Sequence, residues 1–509
     1  MKIKLFFLLT IVSLFLSNKI NSQQFFTPNW DSLRKKKAVP EWFTDARFGV
    51  YFHWGIYSVP ANGNEWYPRW MYVKNYKGWG EDVFKYHKEK YGDNFHYHDF
   101  IPMWKATNFN AEKWVDAFES MGAKIIGAIA EHHDGFSLWD SQINEWNSKK
   151  MGPKIDVLNE IKTATKKRNL KFMVTFHHGF HNVFYPKKKG KYLRNYFVDK
   201  YMYFYYDTIN VPQEKKYSKL YGNLEMIESY DLWLSKLNEV IYNYSPDYIY
   251  TDFGQRYIPE LYRKVFLANY FNHAASQNKS VVVNTKGDYF PKDIAIVNIE
   301  RSTIENISKS PWVTDFKLGS SWAYNQYDRS TIDPKKAIRI LAEVVSKNGI
   351  MILSAGPKPN GEIPEEQLEA MNNIGEWMKA YGECIYNTKP FIEFGQGTTK
   401  LTRDDQDLWN DYGEIKKGLY DLNYTDIRYT TKNNLIYAIQ LGWNSKQKSK
   451  TLRVFSKEKF NGVIRKISVL GSSEKISWKK THNGLIIRQP KKIPFKGDYA
   501  IVYKIVLEK

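Results

Sequence analysis

From about Val39 to Thr388 the chain alternates short apolar runs with longer stretches of helical period. Alternation of this kind predicts βα units around a parallel sheet. The candidate strands are Arg47 to His53, Ala123 to Ala130, Leu170 to Phe176, Asp247 to Thr251, Val281 to Asn284, Ile294 to Ile299 and Ile350 to Ser354. Helical periods fall at Ala111 to Met121, Asp156 to Arg168, Leu232 to Tyr242 and Pro334 to Ser346. From about Pro390 the rhythm changes to short alternating runs separated by turn residues: Leu435 to Leu441, Val463 to Leu470, Leu485 to Arg488 and Tyr499 to Val506. That pattern reads as a small all-β sandwich. The segment Tyr185 to Leu220 is rich in Lys and Tyr, lacks a clear period, and is expected to be a long loop over the sheet's mouth.

Polar and aromatic residues stand just beyond five of the predicted strands. They are His53-Trp54, Glu131-His132-His133-Asp134, His177-His178, Asp252 and Glu300. In a (β/α)8-like barrel the C-terminal end of the strands is the face that carries an active site. The expected organisation is a signal peptide over residues 1–22, a (β/α)-barrel catalytic domain over 23–388 and a C-terminal β-sandwich domain over 389–509.

Composition narrows the class. The chain has 509 residues, enough for two cores. Its 17 Trp, 37 Tyr and 30 Phe supply flat apolar faces that suit sugar rings as well as cores. Net charge is +21. No zinc-finger spacing or RNA-binding signature accompanies the scattered Lys, which argues against nucleic acid and leaves a sulfated or uronic polysaccharide as the better polyanion. The single cysteine, Cys384, excludes an internal disulfide and a cysteine metal site. Lys2 and Lys4, the apolar run Leu5 to Leu16, and Asn18 to Ser22 form the three parts of a secretory signal. The apolar run is too short to span a bilayer. A secreted or periplasmic protein without a membrane span is expected.

Glycoside hydrolysis needs two carboxyl groups flanking the scissile bond. Asp252 closes an apolar strand and precedes Gly254, which permits a tight turn. The strand-end histidines could bind a metal, transfer protons, or hydrogen-bond to sugar hydroxyls. The HExxH spacing of a zinc site is absent, and neither metal nor cofactor is expected. Adjacent residues of a strand face opposite ways, so His132 and His133 share one face only if the strand end bends.

In these residues the sequence closely resembles glycoside hydrolase family 29, the α-L-fucosidases. The matching runs are Ala46 to Ser58 with Pro60-Ala61, Glu65-Trp66-Tyr67, Met121 to Lys124, His132 to Phe136, Leu138-Trp139, Gly152-Pro153-Lys154 with Asp156, and Pro246-Asp247 before Asp252. Ser321 to Tyr324 and Gly356-Pro357 with Gly361 complete the set. The resemblance implies a barrel followed by a β-sandwich and a retaining, exo-acting hydrolase of terminal α-L-fucosyl residues. It implies Asp252 as nucleophile and His53, Glu65, Trp66, His132, His133, Phe176, His177 and Trp322 as substrate-binding residues. Phe176 stands where the family often has Tyr, and Trp322 matches an aromatic wall near the sugar methyl. The acid/base varies in position within the family. Glu300 matches one bacterial branch, and Glu305 is the reserve. Other members carry Glu after a Trp where this chain has Trp312-Val313, and Val transfers no proton. The family's Asn-Asp-Arg run reads Asn284-Thr285-Lys286, which loses a bidentate fork. The expected partner is a fucosylated oligo- or polysaccharide, sulfated ones included. Two other readings are a hydrolase for a related sugar such as α-L-galactose and a non-catalytic fucose-binding protein.

Overall fold

The structure is a computed structural model that describes residues 25–36, 39–74, 82–185, 211–403, 414–492, 495 and 498–508. The expected signal segment lies outside the described residues. So does most of the expected loop, of which Tyr185 is buried and residues 218–221 are helical.

Eight parallel strands close into a barrel in sequence order. They are Phe48–Phe52 (β1), Ile125–Glu131 (β2), Lys171–Phe176 (β3), Tyr248–Thr251 (β4), Val282–Thr285 (β5), Ile296–Asn298 (β6), Trp312–Lys317 (β7) and Gly349–Ala355 (β8). β7 is absent from the strands predicted from the sequence. Its inward Asp315 and its Thr and Lys break the apolar run that marks the other strands.

Alternation sorts the side chains. Tyr51, Ile125, Ile129, Met173, Tyr248, Tyr250, Val282, Ile296, Val313, Ile350 and Ile352 form one buried cluster inside the barrel, closed at its foot by Phe43 and Ala46. Their strand neighbours, among them Val50, Phe52, Ile126, Phe172, Val174, Ile249, Val283, Phe316 and Leu353, join the larger cluster under the helices. Each buried aliphatic side chain contributes about 1.5–3 kcal/mol, so a one-residue slip that exchanged the two sets would be heavily disfavoured.

The outer layer consists of helices Ala111–Ser120 (α1), Val157–Lys167 (α2), Met226–Tyr244 (α3), Glu260–Ser276 (α4), Pro334–Ser346 (α5) and Glu365–Tyr381 (α6). N-cap side chains of Asn110, Asp156 and Asp333 accept backbone N–H bonds at the starts of α1, α2 and α5. No helix separates β5 from β6 or β6 from β7. Beyond β6 the chain instead pairs with the C-terminal part: Thr303 and Ile415 exchange backbone hydrogen bonds of 3.0 and 2.8 Å.

Among the described residues the C-terminal part holds ten strands: Lys389–Gln396 (β9), Thr402–Arg403 (β10), Ile415–Lys417 (β11), Ile427–Lys432 (β12), Leu435–Gln440 (β13), Ser449–Leu452 (β14), Ile464–Val469 (β15), Trp478–Thr481 (β16), Gly484–Arg488 (β17) and Ile501–Leu507 (β18). β15, β18, β13, β12 and β9 make one antiparallel sheet, and β14, β17 and β16 another. Their inner faces share a core that includes Tyr429, Ile436, Leu485, Ile487 and Tyr503. β10 and β11 form a separate pair.

A buried ionic cluster ties this part to the barrel. Glu343 of α5 receives the Arg428 guanidinium from β12 and the Lys347 ammonium at 2.5 Å, and its carboxylate is fully buried. Burial pushes the Glu343 pKa up, but the two cations hold it below the usual range. Removing one partner strands a charge in the interior. Arg428→Ala should therefore destabilise the protein by about 3–5 kcal/mol. The matched replacements Glu343→Met, Arg428→Met and Lys347→Met together, which leave no charge of the cluster unpaired, should recover much of that loss. Thermal and urea unfolding of both variants, followed by circular dichroism, measures the difference.

Candidate active site

The residues directly above the inner cluster follow the same alternation. One step beyond inward Tyr51 is His53; beyond Thr175, His177; beyond Tyr250, Asp252; beyond Asn284, Lys286; and beyond Asn298, Glu300. On β7, Val313 and Asp315 are inward, which brings Lys317 to the same level. The strand ends thereby gather a nucleophile candidate, an acid candidate, histidines and two lysines at one mouth.

Below them lies a buried polar floor. Asp315 accepts from the Tyr51 hydroxyl at 3.1 Å, the Tyr250 hydroxyl at 3.2 Å and Asn298 Nδ2 at 3.0 Å. The end of β4 is clamped to β5: Asn284 accepts the Thr251 N–H at 2.7 Å and donates to the Thr251 carbonyl at 3.1 Å. Gly254, at φ 98°, then turns the chain where a Cβ would lie 2.7 Å from the Phe180 nitrogen. Asp252 is thus fixed from both sides of its strand end.

The decisive contact is one that the sequence did not reveal. Lys286 Nζ lies 2.6 Å from Asp252 Oδ1 and 3.0 Å from Glu300 Oε2. One ammonium holds both carboxylates, so their nearest oxygens are no further apart than those two contacts laid end to end. The Asp252 side chain is 5% exposed and that of Glu300 is 38%, so Glu300 is the member open to the cleft. Burial raises the Asp252 pKa to about 6 against the opposing pull of Lys286. Burial also pushes Glu300 up, but Lys286, Arg301 and Lys416 together hold it below the carboxylate range. Burial disfavours the Lys286 ammonium, yet the charges of Asp252, Glu300 and Asp315 keep its pKa well above the ordinary value. Glu305, the reserve candidate, is exposed to solvent.

The histidines converge on the other side of Asp252. His133 Nε2 is 3.6 Å and His177 Nε2 3.8 Å from Asp252 Oδ2. His132 stacks on His177 with centroids 4.7 Å apart, and His53 lies 5.7 Å from His132. Burial pushes all four imidazoles well below their ordinary pKa, so at neutral pH each carries one N–H and one lone pair. His53 Nδ1 is 2.7 Å from the Ser354 hydroxyl and His133 Nδ1 is 2.6 Å from the His177 carbonyl. Nitrogens of His53, His132 and His177 lie within 4.8 Å of one another, close enough for a small ion or a pair of hydroxyls.

His132 and His133 face the same way because β2 breaks register between Ile129 and Glu131. The irregularity turns Glu131 outward to a buried ion pair with Lys236 of α3 at 2.7 Å. It frees the next two residues from alternation.

Two aromatic walls frame the cleft. Trp66 lies 5.3 Å from His133 and stacks on Phe253 at 6.1 Å. Trp322 lies 5.3 Å from His53. Glu65 is buried beside the loop carrying Trp322, with Oε2 lacking a hydrogen-bond partner. Burial raises its pKa to about 7.

Phe176 is a correction. It packs against His178 at 4.9 Å and Trp139 at 6.1 Å in the cluster under the helices. Thr175 and His177 take the inward positions of β3, so alternation turns Phe176 away from the mouth. His178 likewise points outward, to the Trp233 carbonyl at 3.1 Å. Asp315 and Lys317 are the site residues that sequence reasoning missed, and Lys286 was noted only as a lost fork. Counting every second residue from the apolar inward positions puts all three on the inward face, though it does not reveal the contacts they make.

Comparison with known proteins agrees with this architecture. The α-L-fucosidase family model matches residues 13–383, and the model of the α-L-fucosidase C-terminal domain matches residues 420–506. The tissue α-L-fucosidase of Rattus norvegicus is 29% identical over 435 residues, covering 82% of this chain and 79% of that protein. The human tissue α-L-fucosidase is 28% identical over 500 residues, covering 92% and 89%. The Thermotoga maritima α-fucosidase, solved in complex with fucose, superposes with a TM-score of 0.72 at 25% identity, over 94% of this chain and all of that one. A family match across most of the chain, on a closed eight-stranded barrel with an antiparallel C-terminal part, places this protein in the α-L-fucosidase family of glycoside hydrolases, family 29.

Proposed function

We propose that this protein is a retaining, exo-acting hydrolase of terminal α-L-fucosyl residues on oligo- or polysaccharides, with Asp252 as nucleophile and Glu300 as acid and base. The observation that carries this reading is the single Lys286 ammonium touching both carboxylates at 2.6 and 3.0 Å. That bridge is compatible with the separation of about 5–5.5 Å used for retention, and not with the roughly 6.5–9.5 Å that leaves room for water in inversion.

In the first step an Asp252 oxygen bonds to the anomeric carbon while the bond to the leaving oxygen breaks, and Glu300 gives that oxygen its proton. In the second step water attacks the same carbon, Glu300 takes the water's proton, and the bond to Asp252 breaks. The resting geometry favours an ionised Glu300, as its lowered pKa states. A sugar in the cleft excludes water from Glu300 and draws Lys286 onto Asp252. Both changes raise the affinity of Glu300 for a proton. Neutral His53, His132, His133 and His177 offer donors and acceptors to the hydroxyls. Trp66 and Trp322 supply apolar faces, and Trp322 suits the C5 methyl.

Glu65 carries a second reading of the acid alone. Its pKa of about 7 is that of a group still protonated near neutral pH, and Oε2 has no hydrogen-bond partner. The two readings separate by leaving group. Glu300→Gln should lose about 10²–10⁴-fold in kcat/KM on alkyl or glycosyl leaving groups and far less on activated aryl fucosides, with azide restoring turnover. If Glu65→Gln shows that pattern and Glu300→Gln does not, the acid is Glu65.

Export is also proposed, supported by Lys2, Lys4 and the apolar run Leu5 to Leu16; N-terminal sequencing of the mature protein would reveal the cleavage.

Asp252→Ala should reduce turnover of an aryl α-L-fucoside by at least about 10³-fold, and near-normal turnover would remove the nucleophile assignment. The first product detected by NMR during wild-type hydrolysis should be α-fucose; β-fucose would exclude retention. The acid limb of kcat/KM should lie near pH 6, where Asp252 becomes ionised. Lys286 lowers the pKa of Asp252, so Lys286→Met should move that limb to higher pH. A limb that stays in place or moves down would show that Asp252 does not set it.

A further inference from the structure

We propose that Lys236, on the helix side of the barrel wall, is a positioning residue for the sugar-binding histidines, acting through the buried carboxylate of Glu131. The proposal rests on the fucosidase reading above, in which His132, His133 and His177 hold the sugar hydroxyls.

Glu131 is the last residue of β2 and directly precedes His132-His133. The register break between Ile129 and Glu131 leaves the ladder locally unpaired, so the direction of the next residues depends on what holds Glu131. Lys236 Nζ donates to Glu131 Oε1 at 2.7 Å and to Oε2 at 2.8 Å, and Ser137 Oγ donates to Oε2 at 2.7 Å. Asn144 Nδ2 donates in turn to Ser137 Oγ at 2.9 Å and to the Gly135 carbonyl at 3.0 Å. On the backbone, the Glu131 carbonyl accepts the His177 N–H at 3.0 Å. The Glu131 and Lys236 side chains are 0% and 1% exposed. Burial pushes the Glu131 pKa up, but Lys236, with His178 and His181, holds it below the usual range.

The same helix grips β3. Trp233, one turn before Lys236 on α3, accepts from His178 Nε2 on its carbonyl at 3.1 Å, and its ring stacks on the His178 ring with centroids 5.9 Å apart. His178 follows His177 as Glu131 precedes His132. α3 therefore anchors, from behind, the residues that flank three of the four histidines. His133 and His177 lie 3.6 and 3.8 Å from Asp252 Oδ2. They are also tied to each other, His133 Nδ1 to the His177 carbonyl at 2.6 Å, so a shift of one carries the other. An apolar contact would hold helix to strand with less desolvation. It would lack direction, whereas a carboxylate held by three donors, one of them an ammonium, is fixed in orientation.

The test compares three variants of the full chain: Lys236→Met, the double variant Glu131→Gln with Lys236→Met, and Ser137→Ala. Each is measured for Tm, for KM and kcat on a nitrophenyl α-L-fucoside, and for the Kd of L-fucose by NMR titration. Lys236→Met should raise KM and Kd by about tenfold, within the roughly 10²-fold that a small misplacement can cost. Its kcat should fall by less, because the hydroxyl contacts are made in the ground state as well as the transition state. Its Tm should fall, because Glu131 is left buried and unpaired. The double variant removes that stranded charge, so Tm should return towards the wild-type value while KM and Kd stay raised. Ser137→Ala keeps the ion pair and removes one bond from the carboxylate; KM and Kd should rise by about threefold, the net worth of one hydrogen bond. If KM and Kd return together with Tm in the double variant, the pair serves stability alone and the proposal is overturned. If neither lysine variant folds, Ser137→Ala decides, and wild-type KM and Kd there overturn the proposal. A wild type that binds L-fucose but hydrolyses no nitrophenyl α-L-fucoside removes the hydrolase reading, and the comparison of Kd values still tests the positioning.

Discussion

The two-residue period of eight strands closed on themselves is the constraint from which everything at this site follows. A closed barrel has no free edge and no spare face. Each strand must send one set of side chains into the lumen and the other under the helices, and the lumen here is filled by Tyr51, Met173, Tyr248, Tyr250, Val282, Ile296, Val313 and Ile352 with their neighbours. Once those positions are fixed by burial, the residue one step past the last inward position has no choice of direction. That is why five separate loops deliver His53, His177, Asp252, Lys286 and Glu300 to one place. The exception, the irregularity in β2, releases two adjacent histidines at the same mouth.

A second level of control is electrostatic. Two carboxylates about 5 Å apart repel by about 3 kcal/mol at an effective dielectric near 20, and burying them adds desolvation. Lys286 between them reverses that balance, at the cost of holding Glu300 in the ionised state until a substrate arrives. The shorter contact goes to the buried Asp252 and the longer one to the more exposed Glu300, a division that suits the roles of nucleophile and acid proposed for them. Lysine suits this better than the arginine common in the family. A compact ammonium on a flexible stem can keep one partner and release the other, whereas a planar fork would bind both. The neutral imidazoles fit the same logic. Four charged histidines around Asp252 would quench it, and burial prevents their charging.

Much of this was legible in the sequence because apolar runs announce buried parallel strands, and seven of the eight were found that way. β7 was missed since its lumen positions include Asp315 and Lys317, and a charge in a strand reads as a break. The helices Glu260–Ser276 and Glu365–Tyr381 were missed for another reason: their buried residues fall in adjacent runs, such as Phe266-Leu267-Ala268, Tyr270-Phe271 and Trp377-Met378, so the period is faint. Asp252, Glu300, His53 and the His132-His133 pair were recoverable from strand ends. Phe176 was placed at the substrate by its match to a family position, whereas alternation along β3 turns it outward beside the inward Thr175 and His177. Lys286 was read as a lost fork, and only the folded geometry reveals it as a bridge, since a separation of 34 positions from Asp252 hides a contact that adjacent strands make short.

The C-terminal part is where alternation within the barrel stops explaining the site. A sandwich that merely trailed the barrel would need only an apolar patch to dock. This one commits a fully buried carboxylate, Glu343, to Arg428 across the junction. Buried ion pairs are weak sources of net stability, because desolvation offsets most of their attraction, yet they are unforgiving of misalignment. Their effect is to fix register more than to add affinity. The consequence is felt at the mouth: the same Glu343 accepts from Thr303 Oγ1 at 3.4 Å, Lys347 Nζ donates to the Ile304 carbonyl at 2.6 Å, and Thr303, three residues beyond Glu300, also pairs with Ile415 of β11. The barrel lacks a helix after β6, and a strand from the second part occupies the flank that a helix would cover. Positioning of the loop that carries Glu300 therefore depends on both parts of the chain, and a change at the junction reaches that loop through Thr303 and Ile304, which touch Glu343, Lys347 and Ile415.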